Sequence, residues 1–121
     1  MLILGLLVSA LPGFGQAQPQ LKTRPEYDAY MAAFNEKDPA KKAVAAEKFI
    51  TDFKESDPVA ITNAYTMAIT GYTGAKNWAK VIEVADKAAA LPNADNKLKS
   101  YAWANAMVAA QNMNDIDNVV S

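Results

Sequence analysis

Carboxylates are the first side chains to weigh for chemistry, because the chain has neither cysteine nor histidine among its 121 residues. That absence excludes disulfides, thiolate nucleophiles and Cys/His zinc sites. It also excludes Ser-His-Asp and Cys-His catalysis, and a lipid anchor on an N-terminal cysteine. Close acidic pairs such as Asp52/Glu55 and Asp115/Asp117 occur. Glycoside chemistry would need such a pair to flank a cleft. Here the acids are scattered at helix caps and on outward faces, so capping and solvation account for them. The five glycines, Gly5, Gly13, Gly15, Gly71 and Gly74, form no phosphate-cradling loop. No Asp-x-Asp-x-Asp-Gly run offers a calcium loop. The expectation is a protein that is not an enzyme and takes no cofactor or metal.

The charge balance points the same way. Lys and Arg number 12 and Asp and Glu 13, a net charge of −1, which gives no electrostatic reason to expect nucleic acid or an anionic lipid surface. With 51% hydrophobic and 21% charged residues, the composition is that of a folded domain. What chemistry remains is recognition between protein surfaces.

Met1 to Phe14 is apolar and carries no charged side chain. Its helix-forming part is about ten residues, too short to span a bilayer, which takes ~20. Pro12, Gly13 and Gly15 break it, and Gly15-Gln16-Ala17 supplies small residues at the −3 and −1 positions of a cleavage site. Residues 1–17 therefore read as a secretory signal peptide, residues 18–24 as a polar lead-in, and residues 25–121 as the folded domain. The competing reading keeps the apolar segment as a buried N-terminal helix. Export places the mature protein in the periplasm or outside the cell, in a bacterial envelope, with no membrane span.

Apolar residues beyond the leader recur at three- and four-residue spacing, and no segment alternates with the period of a strand. Pro25 opens a first helix bearing Tyr27, Tyr30, Met31 and Phe34 on one face. Asp38-Pro39 starts a second, to about Lys54, with Ala43, Ala46, Phe49, Ile50 and Phe53 as its stripe and Lys41, Lys42 and Lys48 on a solvated face. Asp57-Pro58 starts a third, carrying Ile61, Tyr65, Ala68, Ile69 and Tyr72 and ending at Thr73-Gly74. The fourth runs from about Asn77 to Leu91 and the fifth from about Asp95 to Asn112. Asn114-Asp115 is expected to open a sixth, from Ile116 to Val120. Helices of this length joined by short loops make antiparallel neighbours.

A repeat is visible at an offset of 38 residues: Tyr65-x-x-Ala68-Ile69-x-x-Tyr72 superposes on Trp103-x-x-Ala106-Met107-x-x-Ala110. Lys76-Asn77-Trp78 then falls on Asn114-Asp115-Ile116. With Trp78, Val81, Ala85 and Ala88 on the following helix, the pattern resembles the tetratricopeptide repeat, as found in diverged form in bacterial exported and envelope proteins. The resemblance implies an all-α fold of antiparallel hairpins stacked as a short solenoid over residues 25–121, the last repeat incomplete. Tyr65, Ala68, Ile69, Tyr72, Trp78, Val81, Ala85 and Ala88 would pack the repeats together. It also implies a concave partner-binding side, for which Asn63, Thr66 and Asn105 are candidate lining residues.

A sixth helix of this length would leave Trp103 and Met107 partly uncovered, and uncovered apolar surface marks an interaction site. The candidate interface is Trp103, Met107, Ile116, Val119 and Val120. The functional expectation is a non-enzymatic protein–protein interaction module, a homo-oligomer assembling end to end into a ring, tube or filament outside the cytoplasm. Two other readings stay open: a monomeric envelope adaptor that binds a peptide or protein partner, and a fragment of a longer repeat protein.

Overall fold

Each helix of the computed structural model, which describes residues 19–120 and the side chains of residues 19–114, begins at a polar cap. Thr23 opens α1 (Arg24–Asn35): its Oγ1 accepts the Glu26 amide at 3.3 Å, while the Glu26 carboxylate reaches back to the Lys22 amide at 3.4 Å. Asp38 caps α2 (Pro39–Asp52) through the Lys41 amide at 3.0 Å. Asp57 caps α3 (Pro58–Gly74), Asn77 caps α4 (Trp78–Ala89), and Asp95 opens α5 (Asn96–Val120) by accepting the Leu98 amide at 2.8 Å. In α1, α2 and α3 a proline occupies the first turn, where no amide hydrogen is needed. The described residues contain no strand.

Successive helices pack as antiparallel hairpins, α1 on α2, α2 on α3, α3 on α4 and α4 on α5, and the first helices of successive hairpins also touch, α1 with α3 and α3 with α5. The fold is thus all-α, a short row of stacked hairpins of the helical-repeat kind. α3 lies at its centre and is the most buried helix, through Ala60, Asn63, Ala64, Tyr65, Met67, Ala68, Ile69, Gly71 and Tyr72. Its packing on α2 is close: a Cβ built on Gly71 would lie 2.5 Å from the Pro39 carbonyl oxygen and 2.8 Å from Ala43 Cβ. Further along the row, Tyr30 meets Phe49 edge-on at 5.6 Å between ring centres and donates nothing to solvent, its hydroxyl instead accepting the Asn63 amide at 3.0 Å.

Three local expectations are corrected and a fourth is refined. The helix does not break at Asn114-Asp115; α5 runs unbroken from Asn96 to Val120, so there is no sixth helix among the described residues, and the match of that dipeptide to the Lys76-Asn77 turn fails. The side-chain amides of Asn105 and Asn112 each donate to the carbonyl one turn back, Tyr101 at 2.9 Å and Val108 at 2.8 Å, so these asparagines are satisfied inside a helix. α3 does end at Gly74, as expected, but the glycine is not the residue that makes the turn. Lys76 takes the left-handed conformation (φ 59°), with the Asn77 amide donating back to Tyr72 at 2.9 Å and the Lys76 amide to Thr73 at 3.1 Å. Lys42 does not lie on a solvated face; it is half-buried, and its ammonium donates to the Ala33 and Phe34 carbonyls at 2.8 and 2.7 Å, closing the C-terminal end of α1. Within the lead-in, Pro19 and Leu21 are buried and the Gln20 amide donates to Asp57 at 2.6 Å, so this stretch is tied to the start of α3. The expected signal peptide, residues 1–17, lies outside the described residues.

Candidate interaction surface

The surface is defined by comparing α3 with α5 at the 38-residue offset. Ala60, Ala64 and Gly71 of α3 face the preceding hairpin and are buried, and their counterparts Leu98, Ala102 and Ala109 are buried too. The inner faces of the two helices therefore correspond in three dimensions. The outer faces do not. Tyr65 is 9% and Ile69 0% exposed, whereas Trp103 is 70% and Met107 62% exposed. Tyr72 is buried and its counterpart Ala110 is exposed; Ala68 is fully buried and Ala106 partly so.

The helix that covers the outer face of α3 is α4. Lys80 lies over the Tyr72 ring at 5.4 Å, and Lys87 acts electrostatically on Tyr65, so α4 runs antiparallel across that face. It presents Val81, Ala85 and Ala88, all buried, with Trp78 half-buried at the edge of the core. The eight residues expected to pack the repeats together thus all sit in or against the core. Among the described residues no helix takes the place of α4 over α5. Val108, and Met113 beyond it, are also exposed on α5. Ile116, Val119 and Val120 belong to the last turns of α5 by backbone, but their side chains lie outside the described residues.

The polar side chains proposed for a concave groove are spent inside the fold. Asn63 is buried against Tyr30, the Thr66 hydroxyl donates to the Thr62 carbonyl at 3.2 Å, and Asn105 accepts from Thr73 at 3.1 Å. The Thr70 and Tyr101 hydroxyls are hydrogen-bonded to each other. The Thr73–Asn105 and Thr70–Tyr101 contacts join α3 to α5.

One cluster of ionisable groups joins three helices. The Tyr72 hydroxyl donates to Glu47 of α2, and Lys80 of α4 lies 3.3 Å from the same carboxylate and 2.9 Å from Glu83, which also meets Lys87 at 3.3 Å. Burial, then the hydrogen bond to Glu47, pushes the Tyr72 hydroxyl up to about 12. Lys80 is raised chiefly by its bond to Glu83. A tyrosine held protonated next to a charged lysine donates a hydrogen bond rather than abstracting a proton, so the cluster works as a clasp across α2, α3 and α4. Sequence spacing could not reveal it, since Glu47 stands 25 residues from Tyr72. The buried Glu26, bonded to the Ser56 hydroxyl, was missed for the same reason. No group of His, Cys, Asp or Glu among the described residues could hold a metal ion, and no described helix is long and apolar enough to cross a membrane.

The chain matches no protein-family model, no curated protein and no solved structure.

Proposed function

We propose that this chain is a non-enzymatic protein–protein interaction module, related in kind to the tetratricopeptide repeats, that self-associates through the outer face of α5. The observation that carries the reading is the exposure of Trp103 and Met107 at positions whose counterparts in α3 are covered. Large apolar side chains gain by leaving water, about 1.5–3 kcal/mol each when fully covered. Trp is also the side chain most enriched at the energetic centres of protein interfaces. Lining the two helices up at 38 residues supplies a geometric reason for the patch: α5 carries the surface that, in α3, receives an antiparallel helix.

The proposed place of action is outside the cytoplasm, on the strength of the apolar leader and its Gly15-Gln16-Ala17 site. Expressed in a bacterium, the exported product should begin at Gln18 by intact mass; recovery of the unprocessed chain in the cytoplasm alone would refute export.

The test of the interaction surface is sedimentation of the full chain across a dilution series, beside the variant Met107→Glu. The expected result is mass-action association in the parent and its loss in the variant, with far-UV circular dichroism unchanged because Met107 is 62% exposed. A parent that stays monomeric at high concentration, or a variant that associates as the parent does, overturns the reading.

A further inference from the structure

Whatever covers the outer face of α5 must be apolar over Trp103 and Met107 and must satisfy the charges at the two ends of the helix. Between those ends the face is uncharged: Ser100, Ala104, Ala110, Gln111 and Asn114 are all exposed around the two large side chains. The charges are arranged symmetrically about Met107. Lys97 and Lys99 stand ten and eight residues before it, and Asp115 and Asp117 eight and ten residues after it in sequence. This order opposes the helix's own macrodipole, with cations in the first turn and acids toward the C-terminal end. Asp95, the remaining carboxylate near the start, is occupied by the Leu98 amide.

Such a face is complementary to itself. We propose that its occupant is a second copy of this chain, with α5 packed antiparallel on α5 about a two-fold axis at Met107. This rests on the reading of α5 as an interaction surface and specifies its partner and geometry. By helical spacing, Lys97 and Asp115 fall on one flank of the Met107 line and Lys99 and Asp117 on the other. In the antiparallel pair the Lys97 position of each copy falls on the same flank as the Asp115 position of the other, and Lys99 on that of Asp117, each pair of positions offset along the helix by two residues or about 3 Å. The cations of one helix meet the acids and the negative dipole end of the other, so charges unfavourable within one helix become favourable across the pair. Ala110 lies on the same flank as the other copy's Trp103 and nearly level with it, and its small side chain leaves room for that ring. The arrangement repeats across copies what α4 does for α3 within the chain, an antiparallel helix laid over the same face.

A head-to-tail contact would need a second apolar patch elsewhere on the molecule. Among the described residues the exposed large hydrophobics other than Val44 are Trp103, Met107, Val108 and Met113, all on α5. The two-fold contact therefore uses the one apolar patch on both sides, and it closes at two copies.

The experiment exploits the absence of cysteine from the full chain. Met107→Cys should form a disulfide-linked dimer under mild oxidation, and Ser100→Cys, level with the other copy's Asn114 near the centre of the face, should cross-link to Asn114→Cys in a mixture but not to itself. Val44→Cys, on α2, should give no dimer. Lys99→Asp alone should weaken association about tenfold, as reversal of a charge contact does, and adding Asp117→Lys to the same chain should restore it. Assemblies larger than a dimer without Met107→Cys cross-linking, or a swap that fails to rescue, overturn the two-fold pairing while leaving the α5 surface in place. A chain that is monomeric throughout overturns both.

Discussion

Gly71→Ala sets two effects of opposite sign against each other, and the structure decides between them. In the body of a helix, alanine is favoured over glycine by about 1 kcal/mol. Against this, the new methyl would lie 2.5 Å from the Pro39 carbonyl oxygen and 2.8 Å from both Ala43 Cβ and the Ala43 amide nitrogen. Two of these three atoms are backbone, so no rotamer change relieves the overlap. α2 must move away from α3, and overpacking of this kind costs about 1–3 kcal/mol, here toward the upper end because the obstacle is main chain. The expected balance is a net loss of about 1–2 kcal/mol, which in a domain near 100 residues lowers the melting temperature by about 4–8 °C per kcal/mol. Gly74→Ala is the control three residues on. There the nearest atoms are the Pro39 ring carbons at 3.1 and 3.3 Å, so the helix gain and the packing cost should roughly cancel. Both variants should be unfolded with urea, followed by circular dichroism, in a Met107→Glu background so that self-association does not add to the stability. If Gly71→Ala proves as stable as Gly74→Ala, the close approach of α2 to α3 does not exist and the account of the row is wrong at its centre.

Lys76→Gly should stabilise the chain by about 0.5–1 kcal/mol, because a side chain at φ 59° pays about 1–2 kcal/mol that glycine avoids at some entropic cost; an unchanged or lower urea midpoint would refute it. Lys42→Met keeps the alkyl packing but strips two carbonyls at the end of α1 of their donor, an expected loss of about 1–3 kcal/mol measurable by thermal melting. Alkaline pH should destabilise the fold through Tyr72. With its folded value at about 12 and its unfolded value near 10, the unfolded chain loses the proton first, so stability falls as pH rises between the two. Lys80, also raised, contributes with the same sign. Tyr72→Phe should therefore show a smaller fall in urea midpoint between about pH 9 and about pH 11 than the parent, and equal falls would refute the clasp.

The features legible in the sequence were those fixed by neighbours a few residues apart. Asp38-Pro39 and Asp57-Pro58 announced two helix starts because cap and proline act within one turn. The apolar stripes were legible because a helix repeats its faces every three to four residues. The clasp of Tyr72, Glu47 and Lys80 was not legible, since each partner comes from a different helix, Tyr72 reads as a packing residue, and Glu47 and Lys80 read as ordinary surface side chains. Lys42 was misjudged for a related reason: its stem leaves α2 as an exposed lysine would, and only the position of the last turn of α1 turns it inward. One helix boundary failed, where composition is ambiguous. Asn114-Asp115 has the composition of a turn, but asparagine side chains that bond one turn back leave a helix free to continue. At the end of α3 the stop at Gly74 was legible, but Gly71 and Gly74 serve the approach of α2, and a lysine makes the left-handed turn.

The 38-residue offset carries the most functional information because it matches in one respect and not in another. Had α5 merely been an amphipathic helix, its exposed side would be polar, as a helix facing water ordinarily is. Instead the inner positions repeat those of α3 in burial, while the outer positions keep an aromatic at 103 and a long apolar side chain at 107. Trp103 and Met107 contribute little to the stability of the single chain, since they are mostly in water there. Their replacement by polar residues should therefore leave folding intact and abolish association. A structural core position would behave in the opposite way: Ile69→Glu, at the same register in α3 and fully buried, should unfold the chain outright. The contrast between Met107→Glu and Ile69→Glu separates a surface kept for a partner from one kept for the fold.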